Sequence, residues 1–214
     1  MVLSIAPASP SPSPSASQHE AIEAPSHPVL VLAGPGAGKT YCLIERIRFL
    51  IEQRGMDPRR ICVFTFTNKA AGEITSRLER GLARRADGIK GGTIHSFCAE
   101  LLREFGSHVG LEPGFGIADD EYQKQVLRRL QVPSTWHGNL LTRFAAHRFR
   151  GDELRANDRM IFTRYEEFLG KRNLVDFDTL VLKAGQLLRN DAVGATVRHR
   201  WDSVLVDEFQ DLNP

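Results

Sequence analysis

Long apolar runs are missing from this chain. No stretch approaches the roughly 20 consecutive apolar residues of a membrane-crossing helix, which argues against a helical span and a membrane partner. Cysteine is scarce. Cys42, Cys62 and Cys98 lie far apart and lack metal-ligand spacing, so neither a disulfide framework nor a zinc site is expected. An odd number of thiols without close pairs suits a reducing, cytoplasmic setting and reads as three buried or incidental thiols. Charge of one sign is also lacking: 28 Lys and Arg against 26 Asp and Glu leave a net charge of +2, so bulk charge announces no nucleic-acid partner. Residues 1–17, rich in Ser, Pro and Ala, contain no basic residue. That composition excludes a signal peptide with a basic start and an Arg-rich transit peptide, and it predicts a disordered tail. Internal repeats are not detectable.

What is present is an ordinary globular composition, 42% hydrophobic and 25% charged over 214 residues, enough for one α/β domain carrying an insertion. Val29–Ala33 predicts a short buried parallel strand that runs into a glycine-rich turn. Lys39 to Gln53 has helical spacing at Leu43, Ile44, Ile47, Leu50 and Ile51, with Gly55 closing it. Ile61–Phe66 predicts a second strand. Asn68 is expected as the cap of the next helix, whose stripe is Ala71, Ile74, Leu78 and Leu82. This alternation is the opening of a parallel α/β sheet.

The middle differs in texture. Amphipathic helices are predicted over Ser96–Phe105, Asp119–Leu130 and Asn157–Lys171, with no convincing strand among them. Asp176 is placed to cap a further helix with Leu180, Val181, Ala184 and Leu187 inward, and strand character returns at Ser203–Asp207. The expected division is a tail over 1–17, an α/β part over 18–96, an all-helical insertion over 97–175 and a returning α/β part over 176–214.

Between the first strand and first helix lies Ala33-Gly34-Pro35-Gly36-Ala37-Gly38-Lys39-Thr40. This is the context of a Walker A phosphate loop, whose glycines let backbone N–H groups close around phosphate oxygens. Lys39 is positioned to neutralise the β- and γ-phosphates, and the Thr40 hydroxyl to ligate Mg²⁺. Ala33 stands where the strict pattern has glycine. A glycine-rich turn without a ligand is the bland alternative. Far along the chain, Val204-Leu205-Val206 runs into Asp207 and Glu208. In phosphate-loop enzymes the first such acid holds Mg²⁺, directly or through water, and the second activates water for in-line attack, making Glu208 the candidate general base. Alone, an apolar run ending in two acids is often only a strand entering a solvated turn.

Taken with these, Val206–Pro214 (VDEFQDLNP) closely resembles motif II of the UvrD/Rep/PcrA-type superfamily 1 DNA helicases. Gln18-His19-Glu20-Ala21-Ile22 resembles that family's Q-motif, Thr65-Phe66-Thr67-Asn68-Lys69-Ala70-Ala71 its motif Ia, and Gly92-Thr93-Ile94-His95-Ser96-Phe97 its motif Ib. Phe115-Gly116-Ile117 and Val175 to Leu180 look like the borders of its helical insertion. The resemblance covers everything from Gln18 to Pro214 and implies a RecA-like phosphate-loop sheet flanked by helices and interrupted by the insertion. It further implies ATP with Mg²⁺ as cofactors, Gln18 on the adenine base, Gln210 at the nucleotide, and single-stranded and duplex DNA as partners.

Phe66 can be read two ways. An aromatic at a strand end can face an unstacked base, and the family stacks DNA at this position, whereas a core phenylalanine is the plainer reading. Phe64 suits the core better. The resemblance adds Thr65, Asn68, Thr93 and His95 as DNA contacts. The basic run Arg143, His147, Arg148 and Arg150 is usually a solvated face, with phosphate contact the alternative.

Some family features are absent. Pro14-Ser15 replaces the usual Leu-Asn before the Q-motif glutamine, and Tyr41 follows the loop where a basic residue is frequent. Relatives need a second RecA-like domain whose arginines reach the γ-phosphate, a contribution on the order of 10³–10⁵ in rate. The leading expectation is therefore the amino-terminal portion of an ATP-dependent 3′-to-5′ DNA helicase of repair or recombination, poorly active by itself. A non-catalytic ATP- or DNA-binding regulator and a different phosphate-loop enzyme, such as a kinase, are the rivals.

Overall fold

The structure, a computed structural model, describes residues 2–5, 13–25 and 27–211. In chain order the first elements are β1 (Val2–Ile5), α1 (Ala16–Glu23), β2 (Leu30–Ala33), α2 (Lys39–Glu52), β3 (Ile61–Thr65), α3 (Asn68–Leu82) and β4 (Lys90–Thr93). There follow α4 (Ile94–Phe105), β5 (Gly116–Ala118), α5 (Asp120–Arg129), α6 (His137–Arg150) and α7 (Ala156–Gly170). The last are β6 (Leu174–Asp176), α8 (Phe177–Leu188), α9 (Asp191–Arg198) and β7 (Ser203–Val206). They group into two compact units. One takes the residues up to Ile94 and those from Arg198 onward, the other His95 to Val197.

In the first unit β3 is the central strand because Ile-Cys-Val-Phe-Thr is buried at every position, as a parallel strand covered on both faces requires. It pairs in parallel with β4, from Cys62↔Lys90 to Thr65↔Thr93, and with β7, from Ile61↔Ser203 to Phe64↔Val206. Separately, β1 pairs in parallel with β2, from Val2↔Leu30 to Ile5↔Ala33. Ile44, Ile47 and Leu50 of α2 meet Ile74, Leu78 and Leu82 of α3 over Ile61 and Val63. Each such side chain contributes about 1.5–3 kcal/mol on burial, so this cluster fixes both helices on the sheet. A smaller cluster of Ala21, Ile22, Ala24, Ala37 and Cys42 lies beneath the glycine-rich turn. The Arg46 guanidinium donates to the Ile22 carbonyl at 2.8 Å and to that of Ala24, tying α1 to α2.

Several expectations need correction here. The disordered tail fails at both ends: the Val-Leu-Ser-Ile run forms β1 on the edge of β2, and Ser15 caps α1 in a reciprocal capping box with Gln18. Residues 1 and 6–12 of that expectation lie outside the described residues. The strand β2 is half exposed, with Leu30 at 40% and Leu32 at 50%. Its side chains alternate between exposed and half-buried, so one face of the strand is left uncovered. Thr67, not Asn68, caps α3. Its extended backbone lets the hydroxyl accept from the Ala70 N–H at 3.1 Å.

The second unit is not all-helical. Gly116–Ala118 and Leu174–Asp176 form a parallel ladder three residues long, too short to show the alternation that reveals a strand in sequence. A Cβ at Gly116 would meet Leu174 Cδ2 at 2.6 Å, so that side chain packs into the space the glycine leaves. The rest is helices around Leu127, Leu140, Phe144 and Tyr165, each fully buried. Asp176 caps α8 as expected, accepting from the Thr179 N–H at 2.9 Å. The unit runs on past residue 175 to Val197, because Leu180, Ala184 and Leu187 of α8 are buried and the Lys183 ammonium donates to the Val109 carbonyl at 2.8 Å. Cys42, Cys62 and Cys98 are buried thiols outside any disulfide, and burial pushes Cys98 up to about 11.

Candidate nucleotide site and nucleic-acid interface

The turn after β2 is built by glycines at left-handed backbone angles, Gly36 at φ 75° and Gly38 at φ 82°. Gly38 starts α2 with no side chain on its first amides, which leaves the positive helix end open to an anion. It is held from below. The Gln18 side chain is 4% exposed; its Oε1 accepts from the Ser15 N–H at 2.8 Å and its Nε2 donates to the Ala37 carbonyl at 3.0 Å. A Cβ on Gly38 would lie 3.0 Å from Gln18 Nε2. Gly38→Ala is therefore expected to cost about 1–2 kcal/mol of stability from the backbone angle alone, read as a lower Tm, and to loosen nucleotide binding.

The acids arrive from β7. Its register on β3 brings the Asp207 N–H to the Phe64 carbonyl at 2.8 Å, and the Thr40 hydroxyl donates to Asp207 Oδ2 at 3.0 Å. The remaining Asp207 oxygen accepts from the Glu208 N–H at 3.0 Å, and Asp207 is 6% exposed. Residues 167 apart in sequence thus meet at the mouth of the turn. Glu208 has a left-handed backbone, φ 52°, unusual for a non-glycine residue and a form of strain concentrated at functional sites. Its carboxylate accepts from the Gln210 amide. A cleft of about 290 Å³ is lined by Gly36 to Tyr41, Arg77 and Glu208.

Arg77 is the residue that sequence reading missed. It sits on α3 among other arginines and looks like surface charge, paired to Glu73 one turn back. The docking of α3 against α2 brings it to the phosphate turn, where it supplies a cation near the position that Tyr41 leaves neutral.

The expected DNA contacts separate. Phe66, just past the end of β3, is 45% exposed, while Phe64 is buried at 8%. Asn68 is exposed at the first turn of α3. Thr65 and Thr93, paired across β3 and β4, are 1% and 7% exposed, so their hydroxyls are not surface contacts; they face the side of the sheet that α3 covers. Thr65, whose hydroxyl is buried, borders a cleft of about 230 Å³ lined also by Glu79 and Asp87, whose carboxylates disfavour a polyanion. His95, in the other unit, stands edge-on to Phe177 with ring centres 5.2 Å apart. Burial holds its imidazole below the usual histidine range, opposed by Asp178.

The basic run on α6 does not fit the phosphate reading. Arg143 pairs with Asp158 at 3.0 Å, Arg150 with Asp152 at 3.0 Å, and Arg148 is buried among Glu166, Asp176 and Asp178. Its charges are matched within the unit. Among the described residues no helix is long and apolar enough to cross a membrane.

The chain is 34% identical over 213 residues to DNA helicase II of Escherichia coli, covering 92% of this chain and 30% of the relative. It is 33% identical over 208 residues to a probable DNA helicase II homolog of Mycoplasma capricolum, 87% of this chain and 29% of the relative. To the ATP-dependent DNA helicase PcrA of Staphylococcus epidermidis it is 31% identical over 222 residues, 93% and 30%. The chain thus spans about 30% of the length of the relatives it matches. The family model of the UvrD/REP helicase N-terminal domain matches residues 15–214, and the chain belongs to that family.

Proposed function

We propose that this chain is the ATP-binding portion of an ATP-dependent 3′-to-5′ DNA helicase, whose complete form couples ATP hydrolysis to movement along single-stranded DNA and to unwinding in repair or recombination. The observation that carries the reading is the 3.0 Å approach of the Thr40 hydroxyl to Asp207. The Thr40 hydroxyl and the Asp207 carboxylate are hard oxygen donors, the kind that Mg²⁺ takes. With ATP bound, Thr40 and Asp207 would hold Mg²⁺, which would supply positive charge against that developing on the phosphates.

The protein's own groups do the rest. Amides from Gly36 to Thr40 wrap the phosphate oxygens; Lys39 and Arg77 supply positive charge; Gln18 fixes the turn from beneath. Glu208 takes the proton of the attacking water, and Gln210, bonded to it, orients the carboxylate. Phe66, Asn68 and His95 are the DNA contacts of this reading.

Equilibrium binding of Mg·ATP by the purified chain tests it, with turnover assayed with and without oligo(dT) and a separately supplied second helicase domain. Nucleotide binding with slow turnover that rises on adding the domain is expected. No binding overturns the motor reading, and robust DNA-stimulated turnover by the chain alone overturns its incompleteness. Phe66→Ala should leave stability within about 0.5 kcal/mol, because the ring is half exposed. The same change should lower affinity for single-stranded DNA by about 1–3 kcal/mol, the usual worth of one stacked base. Fluorescence anisotropy with a labelled oligonucleotide measures the loss.

A further inference from the structure

We propose that Asp178, clamped by Arg148, is a positioning residue that sets the orientation and charge of the His95 imidazole where it meets single-stranded DNA. The proposal rests on the DNA-contact reading of His95 given above and assigns the groups behind it.

His95 is the second residue of α4, and its ring packs edge-on against Phe177, the first residue of α8. Asp178 follows Phe177 directly, so the contact that orients the ring also brings a carboxylate toward it. That carboxylate is not free to turn away. Arg148 Nη1 lies 3.3 Å from Asp178 Oδ2 and 2.9 Å from Asp176 Oδ2, while Nη2 pairs with Glu166. The Tyr165 hydroxyl donates to Asp176 at 2.9 Å, and Asp176 caps α8, fixing the turn from which Asp178 projects.

Charge makes the arrangement more than a brace. One arginine, 8% exposed at its side chain, faces three carboxylates. Two of those, Asp176 and Asp178, are adjacent enough that burial and Asp176 together push Asp178 above the usual carboxylate range, against the pull of Arg148 and His95. Besides Arg148, the basic group that acts on Asp178 is His95 on α4. Asp178 favours the imidazolium, which an incoming phosphate also favours, and so opposes the burial that disfavours it. Around the ring, the charged and titratable groups of this network are Asp178 and Asp176 at α8, Arg148 on α6, and Tyr165 and Glu166 on α7.

The test uses the full chain with the His95 ring followed by NMR, its resonances identified by their loss in His95→Ala. Asp178→Asn should move the His95 titration midpoint down by about 1 pH unit, the usual effect of losing a nearby opposite charge. Asp178→Glu should restore it. At the wild-type midpoint, Asp178→Asn should bind oligo(dT) about fivefold more weakly, because the protonated fraction falls from about one half to about one tenth, and at pH 8, where both imidazoles are neutral, it should bind as wild type does. An unchanged midpoint overturns the proposal. A shifted midpoint, with His95→Ala and Asp178→Asn both binding oligo(dT) as wild type, upholds the positioning but overturns the DNA contact.

Discussion

Replacing Glu208 with glutamine is expected to slow ATP turnover by about 10²–10⁴-fold while leaving nucleotide affinity within about twofold. The substitution is nearly isosteric and removes only the ability to accept a proton. Glu208 lines the cleft at the phosphate turn, and its backbone angle, φ 52°, turns the residue back from the line of β7 instead of continuing the strand. The Gln210 amide already donates to it, so the carboxylate keeps one oxygen for water. Asp207, by contrast, is tied to Thr40 and to the Glu208 N–H, which leaves it a holding role. Single-turnover hydrolysis beside a binding isotherm separates the two. Equal rates would place the base elsewhere, and a parallel loss of affinity would make Glu208 a binding group only.

Arg148→Met is the second large effect, expected to lower stability by about 3–5 kcal/mol. The side chain is buried at 8% and faces Asp176 at 2%. Removing the cation leaves the buried Asp176 carboxylate uncompensated, a cost well above the net worth of the ion pair itself. The guanidinium also lies over the Phe162 ring at 5.2 Å and near that of Tyr165, so its cation–π contacts go too, although methionine keeps most of the apolar stem. Pairing the change with Asp176→Asn should recover part of the loss, because the stranded charge is then neutral. Denaturant titration of both variants measures this. A loss under about 1 kcal/mol would mean that the cluster is solvated.

These two residues also mark what the sequence could and could not convey. Glu208 was readable because its chemistry is local: an apolar strand ending in acids, matched to a turn whose glycines permit left-handed angles. Arg148 was not, because an Arg- and His-rich stretch has the composition of a solvated face and its partners come from α7 and α8. Arg77 stayed hidden for the same reason, since only the packing of α3 on α2 turns it toward the phosphates. Thr65 offered a usable signal. It shares the period-two face of Ile61 and Val63, which alternation points inward, and Phe66 is the residue that emerges. The strand β1 and the β5–β6 ladder, four and three residues long, are shorter than any periodicity can register.

The central claim is that one metal–nucleotide complex is gripped from both ends of the chain at once. Manganese substituted for magnesium with ATP, added to isotope-labelled chain, tests this through paramagnetic broadening of backbone amides. Loss of signal at Gly36–Thr40 and at Asp207–Glu208 together is the predicted result. Broadening confined to the glycine turn, with Asp207 and Glu208 untouched, would contradict it.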